Sequence, residues 1–452
     1  MEQREKFGSR LGFILMSAGC AIGCGNVWKF PYLTGAYGGG IFVLFYIIFL
    51  IILGIPVMTM EFSMGRASQK SPVKMMSILS GTKKWNFSGV ISLLGNVILM
   101  MFYTVVCGWF LNYFVGFVSG KYVGGTNEQA GAHFGEMLSS PWQNIIFTLI
   151  ICALGFFICS FSLSKGLEQV TKVMMIILLA LMLVLAVRSL MLDGSGPGMK
   201  FYLRPDFSKF SWSTVNAAMN QAFFTLSLGI GSMAIFGSYI GKERSMMGES
   251  FNVIILDTFV AIVAGIIIFP ACFTYNLDAG AGPGLIFETL PVVFNNMTGG
   301  RIWGSLFFLF MTFAAFSTVL AVFENILSMI RDLTGWSRVK GALICGVAIF
   351  ALSIPCALGF NVWNGFVPFA DGSTFQDLED FIVSNLALPI GSLIFVIFCT
   401  WKKGWGWDNF VAEANTGKGF KVRKWMKPYM KYVLPLIIVA VLIIGLITFT
   451  YK

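Results

Sequence analysis

Charged residues are scarce in this chain: they make up 12% of its 452 residues, about half the share found in a soluble globular protein. Histidine is scarcer still. A single His133 lies in a polar stretch, which argues against a histidine-based catalytic or metal site. The nine cysteines lack metal-ligand spacing and nearly all lie in apolar runs, so they read as small hydrophobes. Cys20 and Cys24 differ only in lining a glycine-rich break, where a ligand role is the minor reading. A cleavable leader is not expected, because the first apolar run is interrupted at its centre and no small-residue cleavage site follows. No polar stretch is long enough for a separate soluble domain.

Hydrophobic residues, by contrast, make up 57% of the chain, and the mean hydropathy is +0.80. Runs long enough to cross a bilayer fall at about 11–37, 41–63, 88–119, 142–161, 167–192, 214–240, 249–273, 302–330, 341–359, 381–401 and 432–450. The expected fold is an all-α polytopic membrane protein with eleven transmembrane helices, in the plasma (inner) membrane. Lysine and arginine set its orientation. They crowd into residues 4–10, 66–84, 165–172, 242–244, 331–340 and 402–431, while most acids fall in the alternate connections. The N-terminus is therefore predicted to be cytoplasmic, and an odd number of spans puts the C-terminus outside. The formal net charge of +10 then reads as a topology signal, and nucleic acid is not an expected partner. The run 418–431 reads as topology first and as an anionic-lipid contact second.

Two stretches break the apolar pattern. Gly19-Cys20-Ala21-Ile22-Gly23-Cys24-Gly25-Asn26 continues into Trp28-Lys29-Phe30-Pro31, and Asn220-Gln221-Ala222-Phe223-Phe224-Thr225 continues into Leu226-Ser227-Leu228-Gly229-Ile230-Gly231. Glycine weakens a helix, and backbone groups freed inside a bilayer are tolerated only where protein or a wet cavity receives them. Such groups become ligands, carbonyls for a cation and N–H groups for an anion. Glycines in membrane helices also serve close packing, but polar residues at both breaks favour a site. A dinucleotide site is excluded because no strand precedes the glycines. Runs one to five and six to ten each begin with a break and enter the membrane in opposite senses. The expected organisation of the single domain 1–452 is therefore a 5+5 inverted repeat, 11–192 and 214–401, with broken helices 1 and 6 and an appended helix 432–450. The connections 120–141 and 193–213 read as lids.

Charges inside the membrane are expensive and read as functional. They are Glu61, Asp257 and Glu324, with Lys29 needing an acid on the side where Asp377, Glu379 and Asp380 cluster. Glu61 either snorkels to the interface or accepts hydrogen bonds from N–H groups freed at the breaks. Tyr46, Tyr103, Gln221, Ser317 and Thr318 complete the interior polar set, although serine and threonine often bond only their own helix.

With these residues in view, the chain resembles the neurotransmitter:sodium symporter family in its bacterial amino-acid branch. The resemblance runs over nearly the whole length. It is carried by Arg10-Leu11-Gly12, the stretch from Gly23 to Pro31, Gly38-Gly39-Gly40, Gly54-Ile55-Pro56 with Glu61, and Phe223 to Gly229. It implies two sodium sites. The first uses Ala21, Asn26, Thr225, Asp257 and the substrate carboxylate; the second uses Gly19, Ile22, Ala314, Ser317 and Thr318. It implies a substrate site of Ala21, Gly23, Gly25, Leu99, Tyr103, Phe224, Thr225, Ser227, Ile230, Thr318, Ala321 and Val322. There, N–H groups near Cys24 and Gly25 and the Tyr103 hydroxyl hold a carboxylate. Gly23 stands where the family's monoamine carriers have an acid, which favours an α-amino acid with an apolar side chain. Ile230, where some relatives have phenylalanine, leaves room for a bulkier one. The implied gates are Lys29 with Asp380 outside, and Arg4 with Asp332 inside near Phe7, Ser238 and Tyr239.

Two positions depart from the family's pattern. Asp257 stands where asparagine is usual. Chloride-dependent relatives bind chloride near the positions of Tyr46 and Gln221, and chloride-independent ones carry an acid where this chain has Ala261. Asp257 is therefore expected to supply the fixed negative charge, so that chloride is not required; otherwise it tightens the first cation site or takes up a proton. Secondly, Gly166 is followed ten residues on by Ile176 rather than proline, so the inward solvent path is expected to open differently. The function implied is sodium-coupled import of a hydrophobic or aromatic α-amino acid, with no enzymatic activity, by a monomer or dimer. The alternatives are transport of an amine or other non-carboxylate solute, or a sensor or substrate-gated channel on the same scaffold.

Overall fold

In a bilayer, a spanning backbone must satisfy its own hydrogen bonds, and an apolar run does so by coiling. The computed structural model describes residues 5–124, 127–277 and 284–447, and among them the regular structure is helical, apart from one isolated backbone bridge between Arg244 and Lys418. The helices that position the site are α1 Arg10–Ala21, α2 Gly25–Ala36, α3 Gly40–Ser68, α4 Lys83–Ser119, α5 Pro141–Ser160, α6 Glu168–Leu190, α7 Trp212–Thr225, α8 Ser232–Gly237, α9 Met246–Thr274, α10 Gly300–Thr334, α11 Arg338–Leu358, α12 Phe375–Thr400 and α13 Met426–Ile447. Among the described residues nine helices are long and apolar enough to cross a membrane, and ten if α1 and α2 are one span bent by 53°. The eleven apolar runs thus do not yield eleven unbroken helices. The run 214–240 is helical only as α7 and α8, because Ser227, Gly229 and Gly231 take φ of 50°, 94° and 76°, in the left-handed region that stops a helix.

Proline shapes the long helices. Six described helical stretches widen to a π-type turn, and five of these end two residues before a proline: Gly25–Lys29 before Phe30-Pro31, Leu50–Gly54 before Ile55-Pro56, Leu285–Thr289 before Leu290-Pro291, Ile382–Ala387 before Leu388-Pro389, and Tyr429–Val433 before Leu434-Pro435. A proline cannot donate, and its ring crowds the carbonyl four residues back. The preceding N–H then reaches one residue further, as Phe30 does to the Gly25 carbonyl. Such widened turns recur at functional sites. The missing proline has the matching effect, since α6 runs unbroken through Ile176.

α10 is the most enclosed span, with 83% of its apolar window buried. It packs along α4 and against α1, α5 and α6. The second break is wedged against α12, where a Cβ on Gly229 would lie 2.0 Å from the Leu388 carbonyl and one on Gly391 1.9 Å from the Gly229 carbonyl. Short helices cover one end of the bundle. Asn127–Ser139 places Phe134 flat on Phe287 with centroids 4.6 Å apart, and Ser195–Leu203 sends the Tyr202 hydroxyl to the Ile262 carbonyl at 2.9 Å.

Candidate functional site

The first break begins where α1 runs out of helix formers. Ile22 turns extended, with φ −73° and ψ 97°, and helical geometry resumes after Cys24. The last carbonyls of α1 are left facing α10, as unsatisfied helix ends require. There Ser317 Oγ lies 3.1, 3.3 and 2.9 Å from the carbonyl oxygens of Gly19, Ile22 and Ala314. Thr318 Oγ1 lies 3.1, 3.4 and 3.3 Å from those of Gly19, Cys20 and Ile22. Each hydroxyl has one proton, so these contacts cannot all be hydrogen bonds. The surplus of oxygen over hydrogen, with no carboxylate in the set, fits a monovalent hard cation. A transition metal finds no counterpart, because no cluster of histidine, cysteine, aspartate and glutamate side chains suited to a metal occurs among the described residues. The nine cysteines are all buried and free.

A second constellation surrounds Asp257, which is fully buried in α9. Asn26 Nδ2 donates to its Oδ1 at 2.8 Å and to its carbonyl at 3.1 Å. The Thr225 hydroxyl lies 3.3 Å from Oδ1 and the Tyr46 hydroxyl 3.3 Å from Oδ2. No lysine or arginine pairs with this carboxylate among the described residues. A buried carboxylate without a counter-charge is costly; the Thr225 hydroxyl stands beside it, and the Asn26 amide faces it with its nitrogen while its oxygen accepts the Gly23 N–H at 3.3 Å. Gln221 donates to the Gly25 carbonyl at 2.6 Å. Tyr46 thus spends its one donor, and Gln221 one of its two, on protein oxygens.

Between the two constellations lies a tight cavity of about 20 Å³, lined by Cys20, Ala21, Gly25, Leu99, Tyr103, Phe224, Ser227, Thr318, Val383 and Leu388. The Cys24 N–H donates to the Tyr103 hydroxyl at 2.8 Å. Gly23 borders the same spot, since an added Cβ would sit 2.1 Å from the Tyr103 hydroxyl and 2.4 Å from Thr318 Oγ1. Seven of the substrate-site residues named from the sequence line this space. Thr225 instead turns to Asp257. Ile230, Ala321 and Val322 are fully buried outside the lining, and the Ile230 carbonyl is engaged by Asn96 at 2.8 Å. Val383 and Leu388 were not foreseen. They reach the site through the widened turn of α12, whose signal was Pro389. Glu61 accepts the Gly229 N–H at 2.7 Å, so it serves the second break rather than the interface.

Both ends of the cavity are closed by named contacts. Lys29 Nζ lies 3.3 Å from Asp380 Oδ2 and 4.0 Å from the centroid of the Phe224 ring. At the other end Tyr239 donates to Glu324 Oε1 at 2.7 Å, and Arg338 grips Glu324 and reaches Glu5 at 3.3 Å. Burial alone would raise the Glu5 carboxyl. Arg338, the Leu163 N–H and Arg331 together outweigh it and hold the group below its usual range. Glu168 accepts from the Gly8 N–H at 2.7 Å and the Ser9 hydroxyl at 2.8 Å. Phe7 packs edge-on to Tyr239 with centroids 5.8 Å apart. Ser238 is buried beside Tyr239 and donates to the Ile235 carbonyl at 2.6 Å. Asp332 accepts the Ser71 N–H at 2.8 Å and faces Lys70 at 3.6 Å; its expected partner Arg4 lies outside the described residues. The arginine that Glu324 required was visible as Arg338, fourteen residues on, but only the turn after α10 brings the two together.

Comparison with known proteins bears on this geometry. The model of the sodium:neurotransmitter symporter family matches residues 4–123 and 135–452. A sodium-dependent transporter of Bacillus subtilis is 34% identical over 450 residues, covering 98% of each chain. One of Haemophilus influenzae is 30% identical over 456 residues, covering 98% of this chain and 99% of the relative. The crystal structure of MhsT in complex with L-phenylalanine superposes with a TM-score of 0.89 at 34% identity, covering 98% of this chain and all of that one. The chain is a sodium-dependent membrane transporter and belongs to the sodium:neurotransmitter symporter family.

Proposed function

We propose that this transporter imports a hydrophobic or aromatic α-amino acid together with sodium, by alternating access between the two closures around the cavity. The observation that carries the reading is the convergence of the Ser317 and Thr318 hydroxyls on the carbonyls left by the end of α1. Those groups would hold the sodium of one site. Asn26, Thr225 and Asp257, with the Ala21 carbonyl, would hold that of the other. A bound sodium supplies positive charge that draws the two broken helices onto α9 and α10. The protein's own residues then orient the substrate: the Cys24 N–H and the Tyr103 hydroxyl face its carboxylate, and Leu99, Val383, Leu388 and Phe224 form an apolar wall. The likeness to MhsT, whose structure holds L-phenylalanine, supports an amino acid of that class. Asp257 is spent on Asn26, Tyr46 and Thr225 and does not line the cavity, which weighs against an amine recognised by that carboxylate.

The reading includes eleven spans in a 5+5 inverted repeat with one further helix, the N-terminus cytoplasmic and the C-terminus outside in the plasma (inner) membrane. It also includes independence from chloride, because Asp257 supplies negative charge where the Tyr46 hydroxyl and one Gln221 N–H already donate to protein oxygens. The test is uptake into proteoliposomes. Saturable accumulation of leucine, methionine, phenylalanine or tryptophan that collapses when potassium replaces the inward sodium gradient supports it. Accumulation of amines alone, or binding without accumulation, overturns it.

A further inference from the structure

Away from the transport pathway, a groove of about 570 Å³ runs down the outside of the bundle between α3, the start of α9 and the start of α13. Its floor comes from the widened turn of α3. That turn leaves the Ile52 carbonyl without its ordinary helical partner, and the Tyr429 hydroxyl from α13 takes it at 2.5 Å. The wall is Ile51, Ile52, Ile55, Pro56, Met247 and Met426. Ile51, Phe420 and Trp425 stand 54%, 63% and 69% exposed, an apolar surface in the part of the protein that faces acyl chains. The mouth is different in kind, because Lys421 and Arg423 sit there.

The mouth is built rather than loose. Asn415 and Val422 exchange hydrogen bonds of 2.9 and 2.7 Å, the Ser245 hydroxyl donates to the Phe420 carbonyl at 2.7 Å, and the Lys421 ammonium donates to the carbonyls of Asn415 and Gly417. From Asn415 to Tyr432 there are six lysines or arginines and no acid. The nearby Glu413 is already engaged by Arg66 at 2.5 Å and Lys242 at 3.8 Å. Neither Lys421 nor Arg423 pairs with a carboxylate among the described residues. Two cations at the rim of an apolar slot, with an exposed tryptophan beside them, match one ligand chemistry: a phosphate monoanion carrying acyl chains.

We propose that this groove is a binding site for an anionic phospholipid of the leaflet that borders the basic face. Lys421 and Arg423 take the headgroup phosphate, and one acyl chain lies along Ile51, Ile52, Ile55 and Pro56. The bound lipid braces α3 against α13 at the turn where α3 is widest. The site is separate from the cavity and does not depend on which substrate that cavity takes.

The test is native mass spectrometry of the purified full chain in detergent, offered phosphatidylglycerol and phosphatidylcholine with matched acyl chains. Wild type is expected to retain phosphatidylglycerol preferentially. The doubly substituted Lys421→Gln/Arg423→Gln is expected to lose that preference by about thirtyfold, as two cations near an anionic headgroup warrant. Lys83→Gln/Lys84→Gln, exposed charges outside the groove, is the control and keeps the preference. Ile51→Trp, which narrows the slot but spares the cations, lowers retention. An equal preference in wild type and Lys421→Gln/Arg423→Gln overturns the proposal. An equal loss in the Lys83→Gln/Lys84→Gln control shows diffuse surface attraction and overturns it as well. Unchanged retention in Ile51→Trp removes the acyl slot. Sodium-dependent thermal stabilisation of each variant reports that it is folded.

Discussion

The Cys24 N–H donates to the Tyr103 hydroxyl at 2.8 Å, across the gap between the first break and the middle of α4. The donor is freed by the end of a helix, and its acceptor is buried on a helix 79 positions away in sequence. A carboxylate arriving there exchanges one oxygen acceptor for another and gains the phenolic proton. Tyr103→Phe removes that proton and leaves the ring. We expect substrate affinity to fall about tenfold, the value of one hydrogen bond to a charged group, with the sodium response of the empty transporter unchanged. Scintillation proximity binding at fixed sodium measures this. An unchanged affinity would place the carboxylate elsewhere.

The crowding of carbonyls around Ser317 and Thr318 yields a second expectation. Ser317→Ala and Thr318→Ala each remove one oxygen from the proposed sodium site, and a hard cation wants five or six. The sodium concentration for half-maximal thermal stabilisation should rise about tenfold in each variant. Thr318→Ala also alters the cavity wall, so it alone should weaken substrate binding at saturating sodium. A sodium response untouched in both would remove the site.

Asp257 carries the sharpest departure from the family's pattern. Asp257→Asn keeps the shape and removes the charge, leaving Tyr46 without its anionic acceptor. Wild-type uptake should be the same in chloride and gluconate. The variant should need about tenfold or more additional sodium, because a buried cation has lost its counter-charge, and chloride should partly restore uptake. If gluconate abolishes wild-type uptake, Asp257 is not the fixed charge.

Glu5 ties the N-terminal segment to Arg331 at 3.2 Å and Arg338 at 3.3 Å. Its carboxyl is held below the ordinary value of 4.5, so its contribution to the closed inner end is present above that value and is lost as pH falls through its lower one. Glu5→Gln should mimic the acid state at neutral pH. Alkylation of Cys20, which lines the cavity, should be several-fold faster in this variant at pH 7. Wild type at pH 7 should stay slow, because its Glu5 is ionised there. Equal rates at pH 7 would show that Glu5 does not hold the inner end shut.

Composition and periodicity were sufficient for a helical membrane bundle. An apolar run of twenty or more residues has one way to satisfy its backbone in lipid, and that constraint is local. The breaks were legible for the same reason, since Gly23, Gly25, Gly229 and Gly231 stand where a spanning helix should have none. Lys29 needed an acid, and Asp380 was near enough in the pattern to be named. Glu61 remained open between the interface and the breaks, and only the packing of α3 beside Gly229 decided it. The count of spans was less secure, because the run 214–240 is apolar enough to cross but its left-handed residues divide it into α7 and α8. What composition could not reach was the pairing of distant groups. Glu324 with Arg338, Glu168 with Ser9, Tyr429 with the Ile52 carbonyl, and Val383 and Leu388 in the cavity wall all depend on how helices cross. Hydrophobic periodicity tells which face of a helix is buried. Which partner it is buried against is set by the packing of the whole bundle, and the site lies in those crossings.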